Sequence, residues 1–277
     1  MNKKLTLENS SGIITLTTDW GDNDYYAGAV KGRLYSLLPD VRVVDITHNI
    51  SPFDTAHAAY VLKNSFEMFP EGTVHIIGVD TEDFATPTTV QSHVALRYKD
   101  HFFIGADNGV FSLILEGNKA ETVVELTTPF NAVSEKMKFS FSSRDRFAFA
   151  AVHLAKGNDI LELGKQLEGL KELMMFNPSY TKDYIKGVVI HVDHFENVIT
   201  NISESLFEKL AEGRKFKILF KHTELDKISK LYSDVREVEP LALFNGAGLL
   251  ELALNRSNIS GLLGLRKNDA VLIEFFD

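Results

Sequence analysis

The residues best placed to do chemistry are polar side chains that end apolar runs. Ile13 to Leu16 is an apolar strand that terminates in Thr17-Thr18-Asp19-Trp20-Gly21. A second apolar strand ends on Asp45-Ile46-Thr47-His48. In an open α/β sheet, ligands bind in the crevice beyond the strand C-termini, so Asp19 is the first candidate ligand-binding carboxylate. The alternative for Asp19 is a helix N-cap, although Asp22 and Asp24 are nearer the helix that follows. Farther along, Asp193 and Asn197 lie in VDHFENVITNI, where they suit either a binding site or an ordinary β-turn. That run also holds His191 and His194 beside Asp193. The two histidines fall on opposite sides of an extended strand and no HExxH-like partner exists, which argues against a metal site. Phe244-Asn245-Gly246-Ala247-Gly248 is a Gly-rich turn, equally suited to a tight hairpin or to a nest of N–H groups for an anion.

These side chains need a scaffold, and the hydrophobic pattern supplies one. Val41 to Ile46, Val74 to Val79, Val90 to Arg97 and His101 to Gly105 read as strands. Helices are expected from the Ala27, Val30, Leu34, Leu38 face, over Thr55 to Phe69 between Asp54 and Pro70, over Asn108 to Leu115, and over Arg144 to Lys156. This alternation is α/β with a mixed or parallel central sheet. After Asn177-Pro178 short strands dominate: Gly187 to Val192, Val198 to Ile202, Phe216 to Phe220, Leu241 to Phe244, Leu249 to Leu254 and Ala270 to Phe276. Their spacing indicates a small all-β, barrel-like domain. The expected division is therefore residues 1–180 and 181–277, with the boundary near Pro178 to Lys186.

Composition narrows the function classes. The chain has 277 residues, enough for one large or two modest domains. With 29 basic and 38 acidic residues its net charge is −9, which disfavours a nucleic-acid partner. Zero cysteines exclude disulfides and thiolate chemistry and are compatible with a reducing cytoplasm, the expected location. The N-terminus lacks the apolar h-region of a secretory signal, and no run approaches a membrane span.

Several segments together point to a family. TDWGDNDYYAGAVKG, VVDITHNISPFD, FPEGTVHIIGVD, FIGADNGVFSLIL, the SRD of FSFSSRDRFA, and VDHFENVITNI resemble the S-adenosyl-L-methionine (SAM) hydroxide adenosyltransferases, or SAM hydrolases, which are related to the SAM-dependent fluorinase and chlorinase. The resemblance implies an α/β N-terminal domain, a β-barrel C-terminal domain, and a homotrimer with SAM bound at the subunit interface. It implies SAM or adenosine as ligand, no further cofactor, and a reaction that moves the adenosyl group to water. By the same resemblance Asp19 binds the ribose diol, Phe53 closes over SAM, Asn197 reads the adenine edge and Asp193 meets the methionine ammonium. Asn245 and Gly246 fall in the loop around the methionine carboxylate, and Leu254 and Arg256 fall where backbone meets adenine. Trp20 and Tyr26, like Phe53, offer aromatic faces to a sulfonium or simply pack in the core. Asp107-Asn108-Gly109 reads as scaffold. Asp80 matches the aspartate that holds the attacking water. Ser142 stands where hydrolases have His, Pro87 stands near their Arg, and Ser143 falls on the halide-contacting Ser of the fluorinase. Asp80, Ser142 and Ser143 are therefore the expected catalytic groups. A carboxylate at Asp80 repels halide, which disfavours halogenation. A non-catalytic SAM- or adenosine-binding protein is the other reading.

Overall fold

The computed structural model describes residues 11–81, 92–127, 141–174 and 177–277. The chain divides into two compact units, Met1–Met174 and Met175–Asp277, slightly before the boundary expected from sequence.

The first unit is built on a seven-stranded sheet. Its strands are β1 (Ile13–Thr18), β2 (Arg42–Thr47), β3 (Val74–Gly78), β4 (His93–Tyr98), β5 (His101–Ala106), β6 (Thr122–Leu126) and β7 (Gly164–Gln166). The order is β2-β1-β3-β5-β4-β6-β7. The pairs β1–β2, β1–β3 and β3–β5 are parallel, whereas β4 runs antiparallel to β5 and β6, so the sheet is mixed. The helices are α1 (Tyr26–Leu37), α2 (Thr55–Lys63), α3 (Val110–Leu115) and α4 (Ala148–Ala155). Apolar side chains leave both faces of the central strands. Ile14, Leu16 and Ile76 pack with Val30, Leu34, Phe147 and Ala151 on one face. Ile77, Val79 and Phe103 pack with Ala58, Leu62 and Phe111 on the other. Both faces of these strands are buried, including the small polar Thr15 and Thr17 and His75.

Three elements differ from the sequence expectation. The helix after Asp54 stops at Lys63, and the chain then makes a short 3₁₀ turn at Phe66–Met68, so Pro70 does not end it. Asp54 does cap it, its carboxylate accepting from the His57 N–H at 2.9 Å. The segment expected to be regular helix from Arg144 begins as a π turn, Ser143–Phe147, before α4. Neither Asp22 nor Asp24 caps α1: Asp22 accepts from Asn49 Nδ2, and Asp24 accepts from the Tyr25 N–H ahead of the helix. Pro87 and Val90 lie outside the described residues.

The second unit is an antiparallel sheet in the order β12-β11-β15-β9-β10-β14-β13, with β8 added on β9. The strands are β8 (Ser179–Tyr180), β9 (Tyr184–Val192), β10 (Val198–Ser203), β11 (Lys215–Phe220), β12 (Thr223–Leu225), β13 (Pro240–Phe244), β14 (Leu249–Leu254) and β15 (Ala270–Phe276). The end strands β12 and β13 approach each other, leaving a nearly closed, barrel-like sheet. Its core includes Ile185, Val198, Ile218, Leu252 and Ile273. Two short helices, α5 (Glu204–Ala211) and α6 (Ile259–Leu263), interrupt the strands, so this unit is not purely β. Among the described residues no helix is long and apolar enough to cross a membrane.

Candidate active site

The strand ends of the first unit converge on Asp19. Beyond β1 and β2 the chain is zipped by Gly21 N–H to His48 O at 2.7 Å and Ile50 N–H to Thr18 O at 3.1 Å. His48 is buried, shares a 2.7 Å hydrogen bond through Nδ1 with Thr18 Oγ1, and stacks on Trp20 at 5.9 Å. This fixes Asp19 at the mouth of the sheet. The Phe53 N–H donates to Asp19 Oδ2 at 2.9 Å, and the Asp80 backbone also hydrogen-bonds to this carboxylate. Burial, together with the negative charge of Asp80, raises the Asp19 pKa, while the backbone hydrogen bonds oppose the shift. Both backbone partners are strained: Phe53 has φ 63° and Asp80 has φ 47°. Non-glycine residues in the left-handed region cost energy and concentrate at ligand sites. The Phe53 ring is 72% exposed, so it is available to a ligand rather than spent in the core.

Asp80 lies just beyond β3, and the bonds that hold it there are side-chain ones. Asn108 Nδ2 donates to Val79 O at 3.0 Å and to Asp80 O at 3.2 Å, which gives the Asp107-Asn108-Gly109 turn its scaffold role. The π turn brings Ser143 to the same strand. A Cβ on Gly78 would sit 2.6 Å from Trp20 Cζ2 and 3.2 Å from Ser143 Oγ, so Trp20 and Ser143 both press on the strand two residues before Asp80. Ser142 and Ser143 are buried, and Ser143 Oγ has no hydrogen-bond partner among the described residues. Asp19, Phe53 and Asp80 thus meet beyond the C-terminal ends of the parallel strands β1 and β3, and Ser143 lies against the last residue of β3. Trp20 and Tyr26 both pack edge-on against Phe141, each at 5.3 Å, and border the core on this face, which is the packing alternative for these rings. Asp145 lies in the first turn of this segment. It is fully buried and accepts from Arg144 Nε at 2.6 Å and Nη2 at 2.7 Å, which raises the Arg144 pKa.

The second unit holds a separate cavity of about 700 Å³. Asp193, Asn197, Leu254 and Arg256 all line it, together with Phe195 and Tyr232. Asp193 and Asn197 are locked across a turn. Asp193 Oδ1 accepts from the Asn197 N–H at 2.8 Å, and Oδ2 accepts from Asn197 Nδ2 at 3.2 Å. Glu196 makes this turn possible with φ 62°. The turn reading of this run holds, and both residues also line the cavity. An exposed Phe195 ring, a carboxamide and a carboxylate suit a flat, polar heteroaromatic group.

Asn245 and Gly246 are not among the lining residues. The Ala247 N–H is taken by Asn245 Oδ1 at 3.0 Å and the Gly248 N–H by Asn245 O at 2.8 Å. A turn that already uses these donors is a hairpin rather than an open anion nest. Asn245 reaches the cavity indirectly. Its Nδ2 donates at 3.2 Å to Glu251, a buried carboxylate that also accepts from Tyr232 OH at 2.6 Å. Burial, this bond and the nearby charges of Glu251 and Asp193 raise the Tyr232 pKa, so the phenol stays protonated. Sequence reasoning missed Phe195, Tyr232 and Glu251. Phe195 was findable as an apolar residue inside a polar turn. Glu251 was findable as the acid in the otherwise apolar run Leu249–Leu254. Among the described residues no cluster of three His, Cys, Asp or Glu could hold a metal.

Comparison with known proteins bears on both units. Residues 14–164 match the SAM hydroxide adenosyltransferase N-terminal domain, and residues 187–272 match the C-terminal domain. The chain is 30% identical over 271 residues to an (R)-S-adenosyl-L-methionine hydrolase of Methanocaldococcus jannaschii, covering 94% of this chain and 95% of that protein. It is 28% identical over 298 residues to a fluorinase of Nocardia brasiliensis, covering 95% of this chain and 96% of that one. An uncharacterized conserved protein from Thermotoga maritima has a similar structure, with a TM-score of 0.84 and 30% identity, covering 94% of this chain and 99% of that chain.

Proposed function

The chain belongs to the SAM hydroxide adenosyltransferase family, and from that premise we propose that it transfers the adenosyl group of SAM to water, releasing adenosine and L-methionine. The observation that supports this reading is the Asp19 carboxylate held by the Asp80 backbone beyond β1 and β3, with Ser143 packed against Gly78, the last residue of β3. In the reaction a water oxygen bonds to C5′ of the ribose, the C5′–S bond breaks with its electron pair passing to sulfur, and the water loses a proton. Asp19 accepts from the ribose hydroxyls. Asp80, with Ser142 and Ser143, orients the water, and the Asp80 carboxylate receives its proton. Ser143 supports this role because it is buried beside the strand that leads to Asp80. Asn197 and Phe195 take the adenine, and Asp193 takes the methionine ammonium. The same negative charge on Asp80 that suits a water repels chloride or fluoride, so halogenation is the weaker assignment although a fluorinase is among the relatives.

Overnight incubation with SAM, followed by chromatography, tests the proposal. Adenosine and methionine should accumulate in equal amounts, and Asp80→Ala should reduce the rate roughly 10²–10⁴-fold. Intact SAM together with measurable adenosine binding would instead favour a binding protein on this scaffold. The proposal includes a homotrimer in which neighbouring copies share the ligand. Sedimentation equilibrium should give three times the monomer mass, and a monomer that still binds adenosine would remove this part.

A further inference from the structure

The turn that carries Asp80 is held by a residue pair unrelated to any role assigned above. β3 ends at Gly78, so the carbonyls of Val79, Asp80 and Thr81 leave the sheet's regular ladder. Asn108 takes the first two. The third belongs to His93, the first residue of β4. His93 Nε2 lies 2.8 Å from Thr81 O, and its Nδ1 lies 2.8 Å from Arg146 Nη1. A carbonyl only accepts and a guanidinium only donates. The imidazole is therefore the neutral Nε2–H tautomer, donating to Thr81 and accepting from Arg146. His93 is 2% exposed, and its ring meets the Phe147 ring edge-on at 4.9 Å, which leaves it little freedom to turn.

This chain of bonds has a specific reach. Arg146 lies within the π turn Ser143–Phe147, and Thr81 directly follows Asp80. The two proposed halves of the water site, Asp80 from the β3 end and Ser143 at the start of the π turn with Ser142 just before it, are thereby tied to each other through one imidazole. π turns are uncommon and occur often at functional sites, where they re-aim side chains. A left-handed aspartate persists only if its surroundings over-determine it, and here side chains hold three successive carbonyls.

We infer that His93 and Arg146 are positioning residues that fix the distance between Asp80 and Ser142-Ser143, so that a water can touch both. The inference rests on the proposed SAM hydrolysis. Neither residue is asked to touch the substrate, so the effect belongs in the chemical step and not in SAM binding.

Glutamine offers the same pair of groups as this imidazole, an N–H donor and an acceptor, whereas leucine offers neither. His93→Leu should lower kcat roughly 10–100-fold with little change in KM, the scale on which small misplacements act. His93→Gln should recover most of that loss. Arg146→Met should lower kcat in the same direction and Arg146→Lys should restore part of it, and this second pair decides the matter if His93→Leu does not fold. Amide hydrogen exchange gives a readout independent of turnover. Peptides covering residues 77–81 and 143–147 should exchange faster together in His93→Leu and return toward wild type in His93→Gln. A wild-type kcat in His93→Leu, or equal losses in the Leu and Gln variants, would overturn the inference. If the wild-type protein turns over no SAM, the proposed function fails, and the coupled exchange of the two peptides alone decides whether the clamp exists.

Discussion

At the scale of the residue, Asp19 is the pivot of the first unit. Its carboxylate takes backbone hydrogen bonds from two strained neighbours and is partly removed from water. Asp19→Ala should weaken adenosine binding by roughly 1.5–3 kcal/mol, the range for hydrogen bonds to a charged group, as read by calorimetry. The raised pKa adds a pH dependence. A carboxylic acid cannot accept from both ribose hydroxyls as a carboxylate can. Because burial raises the Asp19 pKa above that of an ordinary aspartate, adenosine affinity should begin to fall on acidification at a higher pH than an ordinary aspartate would give. Asp19→Asn should remove that acid limb, and calorimetric titrations across pH would show whether it does.

At the scale of the element, β3 is the strand on which the site depends. Its last residue must be glycine because Trp20, Thr18 and Ser143 close on it from one side. Gly78→Ala forces a methyl group to within 2.6 Å of the Trp20 ring, which is itself fixed between His48 and Phe141. The expected cost is about 1–3 kcal/mol of stability, the usual penalty for overpacking. Thermal unfolding should show a lowered midpoint, and turnover should fall further than the loss of folded protein explains, since Trp20 and Ser143 both move. In the second unit the comparable element is the turn between β9 and β10. There Asp193 and Asn197 satisfy each other while lining the cavity, so that wall of the cavity is fixed by the turn itself.

At the scale of the whole molecule, acid stability should depend on a histidine pair buried in the first unit. His75 Nδ1 shares a hydrogen bond with Thr15 Oγ1 at 2.7 Å, and its Nε2 faces His101 Nδ1 at 3.2 Å. Burial, with a smaller contribution from His101, lowers the His75 pKa from 6.5 to about 3. Between those values the unfolded chain binds a proton that the fold does not. Stability is therefore complete above pH 6.5 and declines as the pH falls toward about 3. A single group shifted that far contributes on the order of 5 kcal/mol over the window. Denaturant titrations at a series of pH values should show this decline, and His75→Leu should flatten it. An unchanged slope in that variant would place the acid sensitivity elsewhere.

Some of this was legible in the residues alone. Apolar periodicity gave an α/β unit followed by a β unit, because burial of a strand or helix face writes itself into local spacing. Polar residues at strand ends marked Asp19, since the sheet's crevice is a property of the fold class. The motif set that led to Asp80, Asp193 and Asn197 was likewise readable in order along the chain. The rest depended on residues that sequence keeps apart. His93 and Arg146 are 53 positions from each other, and Tyr232 and Glu251 are 19 apart, yet each pair meets through one hydrogen bond. The π turn at Ser143–Phe147 has no periodic signature, because it lengthens a helix turn by a residue while keeping helical spacing on either side. Whether the Gly-rich loop was a hairpin or a nest turned on where the Asn245 side chain pointed, and that was set by the buried Glu251 on the returning strand β14. Local patterning thus determined which elements form and which strand ends carry acids. Packing decided which groups meet there, because hydrogen-bond partners are chosen by three-dimensional proximity and not by order in the chain.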